Sequence, residues 1–159
     1  KLSKGQKIKA QFAFALSTDP KYLILDEPTA NFDPDFKQDF LNVIMQFMES
    51  GKKSVIIASH ILDELDRIAD YLIYLDKGEL VYSGDIESFR DKYRIISGES
   101  YKVKLLKQED IIHAEDRKYG TKALVVNHGY SKYDGALTVT VPTLEEFMYH
   151  YSKRGESAI

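Results

Sequence analysis

Cysteine is missing altogether from this 159-residue chain, which removes disulfides and thiolate metal sites and is compatible with a cytoplasmic location. Excess positive charge is missing too. The formal net charge of −3 leaves no basic footprint for a nucleic-acid partner, so none is expected. No apolar run approaches the ~18–20 residues needed to cross a bilayer. The longest, around Tyr22–Leu25 and Val55–Ala58, are only strand-sized, so a membrane role would have to come through a separate membrane partner. There is no initiator Met before Lys1-Leu2-Ser3 and no secretory n-region or h-region, and the expectation is a piece of a longer protein. Repeats and low-complexity tracts are absent as well. What remains is a globular balance of 43% hydrophobic and 30% charged residues, enough for one ordinary domain or one small domain with an appendage.

The apolar spacing predicts alternating helices and strands. From Ser3, Ile8, Phe12, Ala15 and Leu16 recur at intervals of three and four, a helical pattern that Asp19-Pro20 ends. Tyr22–Leu25 reads as a strand buried on both faces of a parallel sheet, stopping in Asp26-Glu27-Pro28. Asp33-Pro34 opens a helix running to Gly51 with Phe40, Ile44, Phe47 and Met48 on its apolar side. Ser54–Ala58 reads as a second buried strand ending in Ser59-His60. A helix over Leu62–Ala69, a strand over Tyr71–Leu75, a turn at Asp76-Lys77-Gly78, a return strand over Glu79–Tyr82 and a short helix over Asp85–Tyr93 follow. The expected class is α/β, layered around a mainly parallel sheet with an antiparallel hairpin at its edge.

Near Ser97-Gly98 the pattern changes, and the chain is expected to divide into 1–97 and a small α+β appendage over 98–159. Tyr101–Leu105, Lys122–Asn127 and Ala136–Val141 alternate like half-exposed strands, and Glu109–Arg117 reads as a helix. Beyond Pro142 a helix carries Leu144, Phe147, Met148 and Tyr151 on one face, capped by Thr143 with Glu146 three residues on.

Three short motifs could carry chemistry. Leu2-Ser3-Lys4-Gly5-Gln6 opens a helix, whose unpaired N–H groups attract anions; Ser3 adds a hydroxyl and Gly5 permits close approach. By itself the same string is also an ordinary Ser cap followed by Gly. Asp26-Glu27 closes a buried strand, where α/β sheets bind ligands. A carboxylate there suits Mg²⁺, held through few carboxylates, waters and substrate phosphates, and its neighbour could polarise an attacking water. Two acids before Pro28 also suit a plain turn. His60 closes the next strand and could donate to a phosphate oxygen or position a water, or could be purely structural. His113, His128 and His150 lack ligand-like spacing.

Taken in order, Leu2–Gln6, Tyr22–Pro28, Thr29-Ala30-Asn31-Phe32-Asp33 and Ser59-His60 closely resemble the signature motif, Walker B strand, D-loop and switch histidine in the second half of an ATP-binding-cassette (ABC) ATPase domain. The resemblance covers roughly Leu2 to Tyr93. It implies the C-terminal part of a P-loop NTPase-type domain, with ATP and Mg²⁺ as its ligands. Asp26 would bind Mg²⁺ through water, Glu27 would be the general base for attack on the γ-phosphate, and His60 would contact that phosphate. Asp33 would belong to the D-loop, while Ser3, Gly5 and Gln6 would contact ATP held by the opposite subunit. The implied partners are a second ATPase subunit, in a head-to-tail dimer, and a transmembrane permease. The implied location is the cytoplasmic face of the membrane.

Lys4 stands where many members carry Gly, a variant familiar among bacterial export ATPases, and Asn31-Phe32 is slightly unusual. Pro142-Thr143-Leu144-Glu145-Glu146-Phe147 resembles the closing helix of bacterial exporters of this class, which points to export. No G-x-x-x-x-G-K-[ST] phosphate loop occurs anywhere, so the chain alone is expected to be inactive and the whole protein to be a transport ATPase. A soluble ABC protein acting on ribosomes or DNA is the alternative.

Overall fold

The computed structural model describes residues 3–30, 32–130 and 137–156. Leu2, Asn31 and Ala136, each part of a motif or strand named above, lie outside the described residues, as does the Lys4 side chain. The described chain is α/β and forms two compact units, Lys1–Ile68 and Ala69–Ile159.

In the first unit, α1 (Lys4–Ser17), β1 (Tyr22–Asp26), α2 (Pro34–Met48), β2 (Ser54–Ala58) and α3 (Leu62–Ile68) follow one another. β1 and β2 pair in parallel, from Tyr22 opposite Ser54 to Asp26 opposite Ala58. A parallel pair needs a long crossover, which α2 supplies. Asp33 caps α2 by accepting the Phe36 N–H at 2.9 Å, with Pro34 at the first helical position, where its missing N–H costs nothing. Phe12, Leu23, Phe32, Phe40, Leu41 and Ile44 form the core, flanked by Ile8, Ala15, Leu16, Phe47, Met48 and Val55. The apolar stripes expected on both helices are therefore those that pack.

The strands differ from expectation on their second face. Tyr22, Ile24 and Ile56 are 72%, 74% and 60% exposed. Side chains alternate across a strand, and the core cluster takes only the Leu23, Leu25 and Val55 side. Among the described residues nothing buries the other side, so these strands are one-sided rather than buried on both faces.

The second unit opens with a hairpin of β3 (Tyr71–Asp76) and β4 (Glu79–Asp85), a separate two-stranded antiparallel sheet. Lys77 and Gly78 both have positive φ, 51° and 83°, the geometry of a tight turn that matches strand twist. Asp85 caps α4 (Ile86–Lys92) through the Ser88 N–H. β5 (Tyr93–Gly98) then enters a four-stranded antiparallel sheet in the order β6-β7-β5-β8, with β6 Ile111–Arg117, β7 Gly120–Val126 and β8 Leu137–Thr140.

Two segments differ from expectation here. Tyr101–Leu105 is not a strand but contains a short helix, α5 (Ser100–Val103). Val103 and Leu106, three apart, point into the core of Ile96, Ala114, Ala123, Val125 and Tyr130, while Tyr101 and Leu105 are exposed. The alternation that suggested a strand includes apolar residues that never pack. Glu109–Arg117 is not a helix. It begins in a 3₁₀ turn (Gln108–Asp110) and continues as β6, because pairing with β7 outweighs local helix preference.

The closing helix α6 (Leu144–Ser152) has the expected reciprocal cap. Glu146 N–H donates to the Thr143 hydroxyl and Thr143 N–H to the Glu146 carboxylate, both at 3.1 Å. Its Phe147 ring, 1% exposed, lies 4.8 Å from Phe89 and 4.7 Å from Tyr93 between centroids, with Tyr74 and Tyr151 alongside. Truncating this hub leaves a cavity lined by four rings. Phe147→Ala is expected to destabilise the second unit by about 3–5 kcal/mol, read as a lowered urea midpoint; an unchanged midpoint would contradict the packing.

Candidate functional site

The register of β1 and β2 brings their carboxyl ends level, with Asp26 opposite Ala58. One more bond extends the pairing past the strand, from Glu27 N–H to the Ala58 carbonyl at 2.8 Å. Glu27 sits in the left-handed region, φ 44°, a conformation that costs a residue with a Cβ about 1 kcal/mol or more. This backbone turn redirects the chain at the strand end, and the Glu27 carboxylate faces the end of β2.

There it meets three donors. His60 Nδ1 lies 2.7 Å from Glu27 Oε1, and the His60 backbone N–H donates to the same oxygen at 3.2 Å. The Ser59 hydroxyl is 3.5 Å from Oε2, and Ser59 Oγ itself accepts the Ile61 N–H at 3.0 Å. The imidazole remains 71% exposed and the carboxylate 40%, so both can meet a ligand from solvent. When Nδ1–H donates to Glu27, Nε2 of a neutral ring accepts and that of an imidazolium donates. Asp26, next to this pair, is exposed and presents a hard oxygen donor of the kind Mg²⁺ takes. No cluster of three or more metal-ligating side chains occurs among the described residues, so a cation here would draw most of its ligands from water and substrate.

The remaining sequence-predicted residues sit at helix starts. Ser3 caps α1: its hydroxyl accepts the Gln6 N–H at 3.1 Å, and the Gln6 side chain accepts the Ser3 N–H at 2.9 Å. Gly5 lies in the first turn between them. This reciprocal cap takes the Ser3 and Gln6 N–H groups and leaves the Ser3 O–H and the Gly5 N–H outside it. Asp33 holds the α2 cap and lies 3.4 Å from Lys9 Nζ on α1. The Phe36 N–H, and then Lys9, hold its carboxyl below the ordinary range. Among the described residues no hydrogen bond or ion pair joins Ser3, Gly5, Gln6 or Asp33 to Glu27 or His60. Two groups missed as site residues are Ser59 and Lys9. The first was legible as the hydroxyl preceding the strand-end histidine; nothing in the sequence pairs Lys9 with Asp33.

No protein-family model matches the chain. Over about half its length it is similar to ABC transporter ATP-binding proteins. One, from Mycoplasma pneumoniae, is described as an ABC transporter ATP-binding protein and is 43% identical over 82 residues, 52% of this chain and 25% of the relative. The energy-coupling factor transporter ATP-binding protein EcfA2 of Caldanaerobacter subterraneus is 41% identical over 95 residues, 59% of this chain and 33% of that protein. EcfA2 of Streptococcus pyogenes is 35% identical over 83 residues, covering 52% and 29%. The chain thus spans a quarter to a third of the length of these relatives. A solved ATP-binding cassette of an ABC transporter superposes with a TM-score of 0.46 at 29% identity, over 55% of this chain and 34% of that one.

The left-handed Glu27 backbone is testable apart from its carboxylate. Glu27→Gly and Glu27→Ala both remove the side-chain contacts, but only glycine occupies this φ freely. Urea unfolding is expected to find the glycine variant more stable by about 1 kcal/mol; equal stability would contradict the strained turn.

Proposed function

We propose that this chain is the C-terminal part of the ATP-hydrolysing motor subunit of an ABC transporter, docked at the cytoplasmic face of the membrane on a transmembrane permease. The observation that carries the proposal is the Glu27–His60 contact of 2.7 Å at the level carboxyl ends of two parallel strands, the position where sheets of this class bind ligands. Similarity to transporter ATP-binding proteins over about half the chain supports the same reading.

The proposed roles are those the resemblance implies, and the Glu27–His60 geometry supports two of them. Glu27 takes a proton from the water that attacks the γ-phosphate of ATP, using the carboxylate oxygen left less engaged by His60. His60, held by Glu27, contacts the phosphate and keeps that water in line. Asp26 would hold Mg²⁺ through water, and Mg²⁺ when bound offsets phosphate charge. Ser3, Gly5 and Gln6 begin a helix whose N–H groups would meet ATP held by a second motor subunit, and Asp33 would connect the two sites across a head-to-tail dimer. Closure of that dimer would assemble the parts that do not touch one another within this chain.

The chain carries no phosphate loop, and the exposed apolar face of Tyr22, Ile24 and Ile56 supports a missing layer, since parallel sheets are normally covered on both faces. We infer that the whole protein supplies both, and that these 159 residues alone do not turn over ATP. The tail's resemblance to exporter closing helices favours export as the direction.

The test is phosphate release by the full-length protein and by this chain alone. The full-length protein is expected to hydrolyse ATP and the isolated chain not to. Glu27→Gln in the full-length protein is expected to lose at least about a hundredfold of turnover while still binding ATP. Unchanged turnover in that variant would remove Glu27 from the general-base role.

A further inference from the structure

Outside the candidate site, the second unit buries two histidines against each other. His113 on β6 is 4% exposed and His150 on α6 is 1% exposed. Their Nδ1 atoms are 2.8 Å apart and their ring centroids 5.0 Å apart. This buried hydrogen bond joins the last helix to the β6 strand of the sheet beneath it, beside an exposed contact from the Tyr149 hydroxyl to Glu115, and it is made by groups that can change charge near neutral pH.

The chemistry of the contact is unusual for a core. With both rings neutral, one Nδ1–H donates to the other Nδ1. Add one proton and the imidazolium can still donate to its neutral partner. Add a second and both Nδ1 atoms carry hydrogens, so the bond becomes a donor–donor repulsion between two like charges. A leucine pair in the same place would feel none of this.

The groups around the pair do not neutralise it. On β6 stand Glu115 and Arg117, on β7 Lys122, on α6 Glu145, Glu146 and Tyr149, and beyond α6 Lys153 and Glu156. Two of the carboxylates have cationic or hydroxyl partners. Lys122 pairs with Glu146, and Glu115 lies 3.4 Å from Arg117 and from the Tyr149 hydroxyl. A cavity of about 170 Å³, lined by Lys122, Glu145, Glu146, Tyr149 and His150, gives protons a route to the helix side of the pair.

We propose that His113 and His150 form a proton-operated latch that holds α6 on the sheet at neutral pH and releases it in acid. Burial, then His113 and Lys122, push His150 down to about 4, and burial lowers His113 as well. The unfolded or undocked imidazoles titrate near the ordinary 6.5, so the undocked state binds more protons between those limits. Stability from the latch is therefore full above about pH 6.5 and is lost as pH falls toward 4. Release would expose Leu144 and Phe147, buried side chains of the same helix, to solvent or to a partner.

The experiment is an imidazole ¹⁵N titration of the full chain, with amide exchange of α6 measured as protection factors at pH 7 and pH 5. Both buried rings are expected to titrate below the ordinary histidine range. The α6 amides are expected to lose protection on the order of twentyfold between the two pH values, with β5 and β7 losing much less. His150→Gln keeps a neutral hydrogen-bonding group and is expected to weaken the pH dependence of α6 protection over this window, leaving only the part that buried His113 contributes. Titration of both rings near 6.5, or equal loss of protection throughout the sheet, would overturn the latch. So would a His150→Gln variant as pH-sensitive as the wild type. If that variant does not fold, the wild-type titration and exchange decide by themselves.

Discussion

The parallel register between β1 and β2 is the constraint on which the candidate site depends. Five residues pair, ending with Asp26 beside Ala58, and the Glu27 N–H adds a bond to Ala58 before the backbone swings into its left-handed turn. Slip the register by one residue and every side chain changes face, carrying the Glu27 carboxylate away from His60. The register is held in turn by α2, whose Phe40, Leu41 and Ile44 lock the crossover onto Leu23. The geometry of the candidate site thus rests on an apolar core a strand's length away.

That core is one-sided. Helices α1 and α2 cover the Leu23 face, while Tyr22, Ile24 and Ile56 remain open. The outward row of Tyr71, Ile73 and Leu75 on β3 is similarly exposed. Isolated exposed apolar residues are ordinary, but rows of them on strand faces mark surfaces that meet something. The reading as part of a larger cassette accounts for the open face and for the missing phosphate loop together.

How much could be read beforehand follows from where each signal is stored. Ser3 with Gln6, Asp33 with Pro34, and Thr143 with Glu146 are local cap signals, and the structure contains all three caps. The strand runs before Asp26 and Ser59 were legible because each is an unbroken apolar run ended by polar residues. The same feature concealed which face packs, since an unbroken run carries no alternation to read. In the tail, Tyr101–Leu105 alternates by accident of two exposed apolar residues, and Glu109–Arg117 acquires its strand only from β7. The His113–His150 pair, 37 residues apart, left no trace in spacing. Glu27 and His60 were legible as strand-end residues, but only folding brings one against the other.

The most direct measurement is a structure of the full-length protein closed around Mg²⁺ and a non-hydrolysable ATP analogue. The account predicts a water between the Glu27 carboxylate and the γ-phosphate, with the His60 ring on a γ-phosphate oxygen and β1 and β2 in the register described. A nucleotide bound away from the ends of these strands, or Glu27 and His60 turned from the γ-phosphate in the closed state, would contradict it.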